Sequence, residues 1–420
     1  MRILHTSDWH LGQHFMGRSR QREHAALIDW LLEQVQLHAV DAVLIAGDIF
    51  DTGAPPSYAR ELYHQLIARL HGVGVALLLL GGNHDSVSML SENLPLLRHL
   101  HTTVIASTGA AAQHVVVLPQ RRPADDAGTA DGTPGCIVCA LPFIRPRDVL
   151  QSQAGQSAED KQQALQTAIQ HTYAQVYAAA QARQAELEQS TGQRLPIIAT
   201  GHLTTVGASS NESVREIYVG ALEAFPTNAF PAADYIALGH IHQPQKVGGL
   251  EHIRYSGSPI ALGFDEARQT KQVLLVDVDA TGLQAVTALP VPRFQPLLNL
   301  RGTLESLPAI LQEAAAQAST DCPAWLEITV EQDDYLPDLA ARLNAMTQGL
   351  PLDVLRIKRQ RGSTAPQLEA DAGISLQELG PLEVFARRLE QEQLETPLQQ
   401  ALSERYRTVL HALQNAEDAA

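Results

Sequence analysis

Continuous apolar runs of strand length punctuate the first quarter of the chain: Ala42-Val-Leu-Ile-Ala46, Val75-Ala-Leu-Leu-Leu-Leu80 and Thr103-Val-Ile-Ala106, after an opening strand at 2–7. Runs with neither alternation nor helical period predict strands buried on both faces of a mainly parallel sheet. Between them the apolar positions recur every three to four residues. Ala25, Leu27, Ile28, Leu31, Leu32 and Val35 predict a helix over about 19–38, and Pro55-Pro56 opens another over 57–71. A further helix is expected over roughly 87–100. Strands and helices alternating at these lengths predict an α/β fold.

The pattern then changes. Short strands at 114–118 and 136–141 flank an exposed Gly/Asp/Pro/Ala loop at 123–135. An Ala/Gln/Glu-rich stretch predicts one long helix over 156–190. Strands follow at 195–200 and 234–238, and short strands at 252–256, 272–278 and 284–289 suggest a second sheet with antiparallel pairing. Leu289-Pro-Val-Pro-Arg-Phe-Gln-Pro296 reads as a linker. Beyond it, strand, helix (304–318), strand (325–330), helix (336–347) and strand (352–358) predict a small α+β domain. Residues 361–372 look loose. Two helical stretches split at Thr396-Pro397 carry apolar stripes, Leu379, Leu382, Val384, Phe385 and Leu389, then Leu398, Leu402, Tyr406, Val409, Leu410 and Leu413. Such polar helices need something to pack on, either their own domain or, the reading favoured here, a partner. The expected division is 1–290, 291–362 and 363–420.

Composition narrows the class. A chain of 420 residues exceeds one ordinary core, and its mean hydropathy of −0.09 describes a globular protein. It opens on a strand with no basic and apolar leader, and no apolar run approaches a membrane span, so a cytoplasmic protein with no membrane role is expected. Cys136 and Cys139 form a CxxC on a strand, where they point to opposite faces, and no second pair follows. Buried core thiols are expected rather than a zinc site. A net charge of −16 argues against wrapping nucleic acid unaided. Bound divalent metals or a basic partner would reverse that locally.

The candidate chemistry sits at the strand ends: Asp8-x-His10, Gly47-Asp48-x-x-Asp51, Gly81-Gly-Asn-His-Asp85, Gly201-His202 and Gly239-His-x-His242. Ligands in open α/β sheets collect beyond the carboxyl ends of strands, and glycine lets the next side chain approach a common centre. Converging tips bring Asp8, His10, Asp48, Asn83, His202, His240 and His242 together, with His84 beside them. Carboxylate and imidazole donors suit Mn, Fe or Zn, and seven ligands exceed what one metal needs. Two metals about 3.5–4 Å apart are the usual device for displacement at phosphorus, and a nearby unliganded His can protonate the leaving alkoxide. Any one of these motifs is weak; five in order, each at a strand end, are not explained as coincident turns.

These motifs resemble those of the calcineurin-like metallophosphoesterases. Met1-Arg-Ile-Leu-His-Thr-Ser-Asp-Trp-His-Leu-Gly12, Gly47-Asp-Ile-Phe-Asp-Thr-Gly53, Pro55-Pro-Ser-Tyr-Ala-Arg60, Gly201-His-Leu-Thr-Thr-Val-Gly207 and Gly239-His-Ile-His with Tyr255-Ser-Gly-Ser-Pro259 are similar to the branch of bacterial nuclease subunits that work with an SMC-like coiled-coil ATPase. The resemblance spans nearly the whole chain. It implies a β-sandwich flanked by helices, a small α+β cap domain and a C-terminal helical tail that docks on the ATPase. It implies two Mn2+ ions, one held by Asp8, His10 and His242, the other by Asn83, His202 and His240, with Asp48 bridging. His84 would contact the scissile phosphate and donate the proton, and Asp85 would orient the His84 imidazole. Asp51 gains no role, since archaeal relatives can carry a DNA-contacting His there. The implied activity is 3'-5' exonuclease action on double-stranded DNA ends and endonucleolytic opening of hairpins, in replication, recombination and repair, with the nuclease subunit forming a homodimer.

Other features take their meaning from that resemblance. Arg356-Ile-Lys-Arg-Gln-Arg361 is the densest basic run and is either a solvated strand edge or, slightly favoured, a DNA contact. Arg18, Arg20 and Arg22 could touch phosphate or simply face solvent. A phosphoesterase for small esters is the competing expectation, though it would need neither cap nor tail; a scaffold without turnover is disfavoured by the full ligand set.

Overall fold

The computed structural model describes residues 1–121, 132–150, 157–209, 224–331 and 338–360, with isolated positions 385, 389, 398, 401–403, 405 and 406. The loose stretch expected at 361–372, and most of the two amphipathic stretches after it, lie outside the described residues.

Two six-stranded sheets face each other. The first runs Gly282–Pro290, Gln272–Asp279, Arg2–Thr6, Ala42–Ile45, Ala76–Leu80, Thr102–Ile105 from edge to edge. Its last four strands are parallel, with Ile3 beside Ala42 and Val43 beside Leu77. The second runs Gln245–Lys246, Ile253–Tyr255, Tyr235–Gly239, Ile197–His202, Pro134–Cys139, Val115–Pro119, parallel in the middle and antiparallel at both edges. Leu44, Leu78 and Leu80 meet Val138, Ile198 and Ala237 between the sheets. Helices Gln21–Leu37 and Ser57–Gly72 cover the outer face of the first sheet through Leu27, Leu31, Leu66 and Leu70. Helix Ala158–Thr191 covers the second through Leu165, Ile169, Tyr173 and Val176. Central strands are thus buried on both faces, which is why their sequences do not alternate. The α/β sandwich flanked by helices is the architecture expected.

Two details differ from expectation. The helix expected over 87–100 is two short helices, Val87–Leu90 and Leu94–His99, because Asn93 takes a left-handed φ of 59° and Pro95 starts the second. The short strands after 250 do not form a sheet of their own. Gln272–Asp279 and Gly282–Pro290 make an antiparallel hairpin that extends the first sheet beside Arg2–Thr6, while Ile253–Tyr255 joins the second. The cysteines behave as expected. Cys136 faces the sandwich interior and Cys139 the long helix, and burial pushes both thiols up to about 12.

A third sheet, Leu297–Gly302, Ala324–Glu331, Leu352–Gln360, is parallel throughout, each crossover being a helix, Leu307–Ala315 or Leu339–Thr347. It has its own core of Leu307, Leu311, Leu326, Ile328 and Leu343. The short hairpin His14–Phe15/Arg18–Ser19 reaches it directly after the first strand-end motif. Phe15 stacks on Trp325 at 5.6 Å and meets Phe264 edge-on at 5.0 Å. Arg18 pairs with Asp353 at 3.1 Å, and Arg22 donates to the Asp321 carbonyl at 2.7 Å. Arg20 is buried, bonded to Glu23 and Gln13. It is therefore a core residue, not a group open to phosphate, because its guanidinium is spent inside the fold. Arg356 and Lys358 both pair with Glu327 along the strand pair, at 3.3 and 3.1 Å.

His5 and His24 are buried in their uncharged form. His5 meets the Tyr235 hydroxyl at 2.9 Å, and the His24 ring makes no hydrogen bond among the described residues. Burial pushes both down to about 3, with Arg20 adding to the effect at His24. Unfolded, each would titrate near ~6.5. As pH falls below that, the unfolded chain binds protons the folded chain refuses, so stability present at neutral pH is lost. Each contributes a slope of about 1.4 kcal/mol per pH unit. His24→Phe is expected to make the pH dependence of urea stability shallower by about one proton between roughly pH 6 and 4, measured in EDTA. An unchanged slope would refute the assignment.

Candidate metal centre

The strand tips meet because the backbone there is folded into conformations that few residues tolerate. Asp8, His10, Asp48 and His240 all have positive φ, 55°, 48°, 49° and 96°. Left-handed backbone at four non-glycine positions around one point is the kind of strain kept at functional sites. The segment after the first strand zips onto the one after the second: Asp8 N–H donates to Gly47 O, Trp9 and His10 N–H to Asp48 O, and Leu11 N–H to Ile49 O, all within 2.9–3.1 Å. Glycines make the final approach possible. A Cβ on Gly82 would lie 2.1 Å from Asp48 Oδ1, one on Gly47 2.2 Å from His202 Nδ1, and one on Gly239 2.0 Å from Ala46 O.

Three groups of donors result. Asp8, His10 and His242 present atoms within 4.8 Å of one another, as do Asp48, His202 and His240, and His10, Asp51 and His84. Asp48 joins the first two, lying 3.7 Å from His10 Nε2 and 3.3 Å from His202 Nε2. Asn83 Oδ1 is 2.8 Å from His202 Nε2. All seven residues expected as ligands are therefore gathered, and His84 stands edge-on to His10 with ring centroids 4.7 Å apart.

Four of the imidazoles are held by Nδ1. That atom bonds to Ala46 O in His202 (2.9 Å), Asp51 Oδ1 in His10 (3.1 Å), Glu266 Oε1 in His242 (3.0 Å) and Asp51 O in His84 (2.8 Å). In His10, His202 and His242 an N–H committed at Nδ1 turns Nε2 toward the centre, the usual support behind metal-bound histidine. His10 Nε2 and His240 Nε2 are buried without a hydrogen bond among the described residues. Buried unsatisfied nitrogens beside carboxylates fit a divalent cation. Charge agrees. Burial works against protonation of His202, yet the adjoining Asp48 pulls it up to about 9. Burial alone would raise Asp48, but His202, His10 and His84 hold it well below the carboxylate range. The field that favours a proton on His202 favours a metal more.

Asp85 does not orient His84. Its carboxylate is buried and accepts three backbone N–H bonds, from Ile49 (3.1 Å), Phe50 (2.9 Å) and Gly82 (2.9 Å). It ties the second and third strand ends together, and the His84 ring is aimed instead by the Asp51 carbonyl. The expectation fails because neighbours in sequence need not have neighbouring side chains; the turn points Asp85 inward. Asp51 is visible within Gly47-Asp48-x-x-Asp51, but no local signal gives it the supporting role it has here. Glu266 and Lys271 follow no strand-end motif and carry no signal in sequence.

Residues 1–244 match the calcineurin-like phosphoesterase family, and residues 293–393 match the type 5 capsule protein repressor C-terminal domain. The chain is 48% identical over 419 residues, the full length of both, to the SbcD subunit of the nuclease SbcCD of Escherichia coli strain K12. It is 32% identical to the protein of that name in Rhodobacter capsulatus, covering 87% of this chain and 89% of the relative. For the Bacillus subtilis protein identity is 32%, over 80% of each.

Proposed function

Because this chain belongs to the calcineurin-like phosphoesterase family, as a nuclease of the SbcD type and hence a divalent-metal-dependent phosphodiester hydrolase, we propose that it carries two Mn2+ ions and works with an SbcC-like SMC-type ATPase. In this reading it degrades double-stranded DNA ends as a 3'-5' exonuclease and opens hairpins as an endonuclease, serving replication, recombination and repair in the cytoplasm. The observation that carries it is the two donor groups joined by Asp48 with His84 beside them.

Asp8, His10 and His242 would hold one ion, Asn83, His202 and His240 the other, with Asp48 shared. Bound there, the pair would supply an activated water and neutralise charge on the phosphate oxygens. With its Nδ1–H given to Asp51 O, His84 would act as the imidazolium, passing its Nε2 proton to the leaving oxygen of the broken strand and being left as the neutral Nδ1–H ring. Asp85 would support the site by tying together the two turns that carry Asp48 and His84. Residues 1–290 would form the nuclease domain, 291–362 a cap that selects DNA ends, and 363–420 the helices that dock on the ATPase coiled coil. Phe385 and Tyr406, one from each expected helical stretch, stack with ring centroids 3.9 Å apart. A homodimer of the nuclease chain belongs to the same reading.

Co-expression with the SMC-type ATPase, followed by an assay on hairpin and linear duplex DNA, tests it. A copurifying complex with Mn2+-dependent cleavage of both substrates is expected. Turnover of small phosphate esters with no DNA cleavage in the complex would replace this reading with that of a small-molecule phosphoesterase.

A further inference from the structure

His242 is held differently from the other histidines of the centre. Its Nδ1 meets a carboxylate, Glu266 Oε1 at 3.0 Å, and that residue is completely buried in the short turn Phe264–Glu266. The other Glu266 oxygen accepts from Lys271 Nζ at 2.6 Å and from Leu262 N–H at 2.9 Å. Lys271 is buried too, and its Nζ also reaches the His242 carbonyl at 3.1 Å and Ser258 Oγ at 2.9 Å. The pair therefore grips His242 at both its ring and its main chain. By contrast, the carboxylate behind His10 belongs to Asp51, whose side chain is 26% exposed, and His202 leans on a backbone carbonyl.

Stability does not account for such a pair. Removing two charges from water costs several kcal/mol per ion, and apolar replacements of similar volume are often as stable or more so. What the pair does supply is direction and basicity. A carboxylate on Nδ1–H fixes the tautomer, turns the ring and strengthens Nε2 as a ligand. Lys271 cancels the carboxylate charge, so no further net anion is added beside Asp8.

We propose that Glu266, held in place by Lys271, is a positioning residue that aims His242 and sets the affinity of the metal site shared by Asp8, His10 and His242. The proposal rests on the two-metal reading above.

The test is calorimetric titration of Mn2+ into the full chain, with metal per chain counted by mass spectrometry and melting followed in EDTA. Wild type is expected to take up two equivalents; failure to do so would count against the two-metal reading itself. Glu266→Met with Lys271→Met removes both charges together, so no lone buried ion remains. One equivalent should weaken about 10–100-fold while the other is retained. Glu266→Gln with Lys271→Met restores an oxygen acceptor without the charge and should recover part of that affinity. Wild-type affinity at both sites in the double methionine variant would overturn the proposal. So would equal loss of both equivalents together with a collapsed melting temperature in both variants, which would make the pair purely structural.

Discussion

His84→Ser is expected to keep its full metal complement while hydrolysis of DNA falls by about 10²–10⁴-fold, the range for loss of a positioned general acid. The His84 backbone N–H donates to Asp48 Oδ1 at 2.9 Å, and serine keeps that bond. Among the described residues the side chain makes the Nδ1 bond to Asp51 O and the edge contact with His10, at a half-buried position. In the ligand assignment proposed above, removing the ring takes away no metal ligand. Metal content by mass spectrometry and single-turnover cleavage of duplex DNA measure the two halves of the claim. Leaving-group dependence makes the test specific. A p-nitrophenyl phosphodiester leaves as a stable phenolate and needs little protonation, so the variant should lose far less activity on it. An equal loss on both substrates would mean that His84 binds phosphate rather than delivers a proton.

The parts of this site that are legible in sequence share one physical property: the signal is local. A buried parallel strand must be apolar throughout, and its end must turn in a few residues, so Gly-Asp, Gly-Gly-Asn-His and Gly-His after apolar runs announce themselves. The expected ligands lie on those turns, and the turns converge. What is not legible depends on contacts distant along the chain. Nothing local says that Gln272–Asp279 pairs with Arg2–Thr6 rather than with its neighbours in the second sheet. Glu266 and Lys271 reach His242 from 24 and 29 residues away, outside any motif. Arg20 reads as a residue open to phosphate or solvent, and only the fold shows Gln13 and Glu23 bonding its guanidinium and the Phe15 ring lying 5.5 Å from it. Asp85 misleads for the complementary reason. In a tight turn successive side chains diverge, and three backbone N–H groups have a stronger claim on its carboxylate than the adjacent imidazole.

Asp48→Asn should abolish paired metal binding, and with it at least about 10²–10³-fold of hydrolysis, since metal charge stabilisation is worth several kcal/mol and each tenfold about 1.4 kcal/mol. The substitution isolates charge from structure unusually well. Asp48 sits at φ 49°, a conformation that Asn adopts more readily than most residues. Asn also retains an Oδ1 to accept the His84 N–H. What changes is the oxygen facing His10 at 3.7 Å and His202 at 3.3 Å, the contact through which the two donor groups are joined. A neutral amide there can bridge nothing and leaves its own N–H₂ pointed at atoms meant to bind a cation. The fold in EDTA should therefore persist, while the rise in melting temperature that Mn2+ gives the wild type, a mass-action consequence of binding to the folded chain, should be largely lost. Melting scans with and without Mn2+, run beside metal counts, decide it. If Asp48→Asn still binds two equivalents and gains the same stabilisation, Asp48 is not the bridge, and the two donor groups must then be read as separate sites.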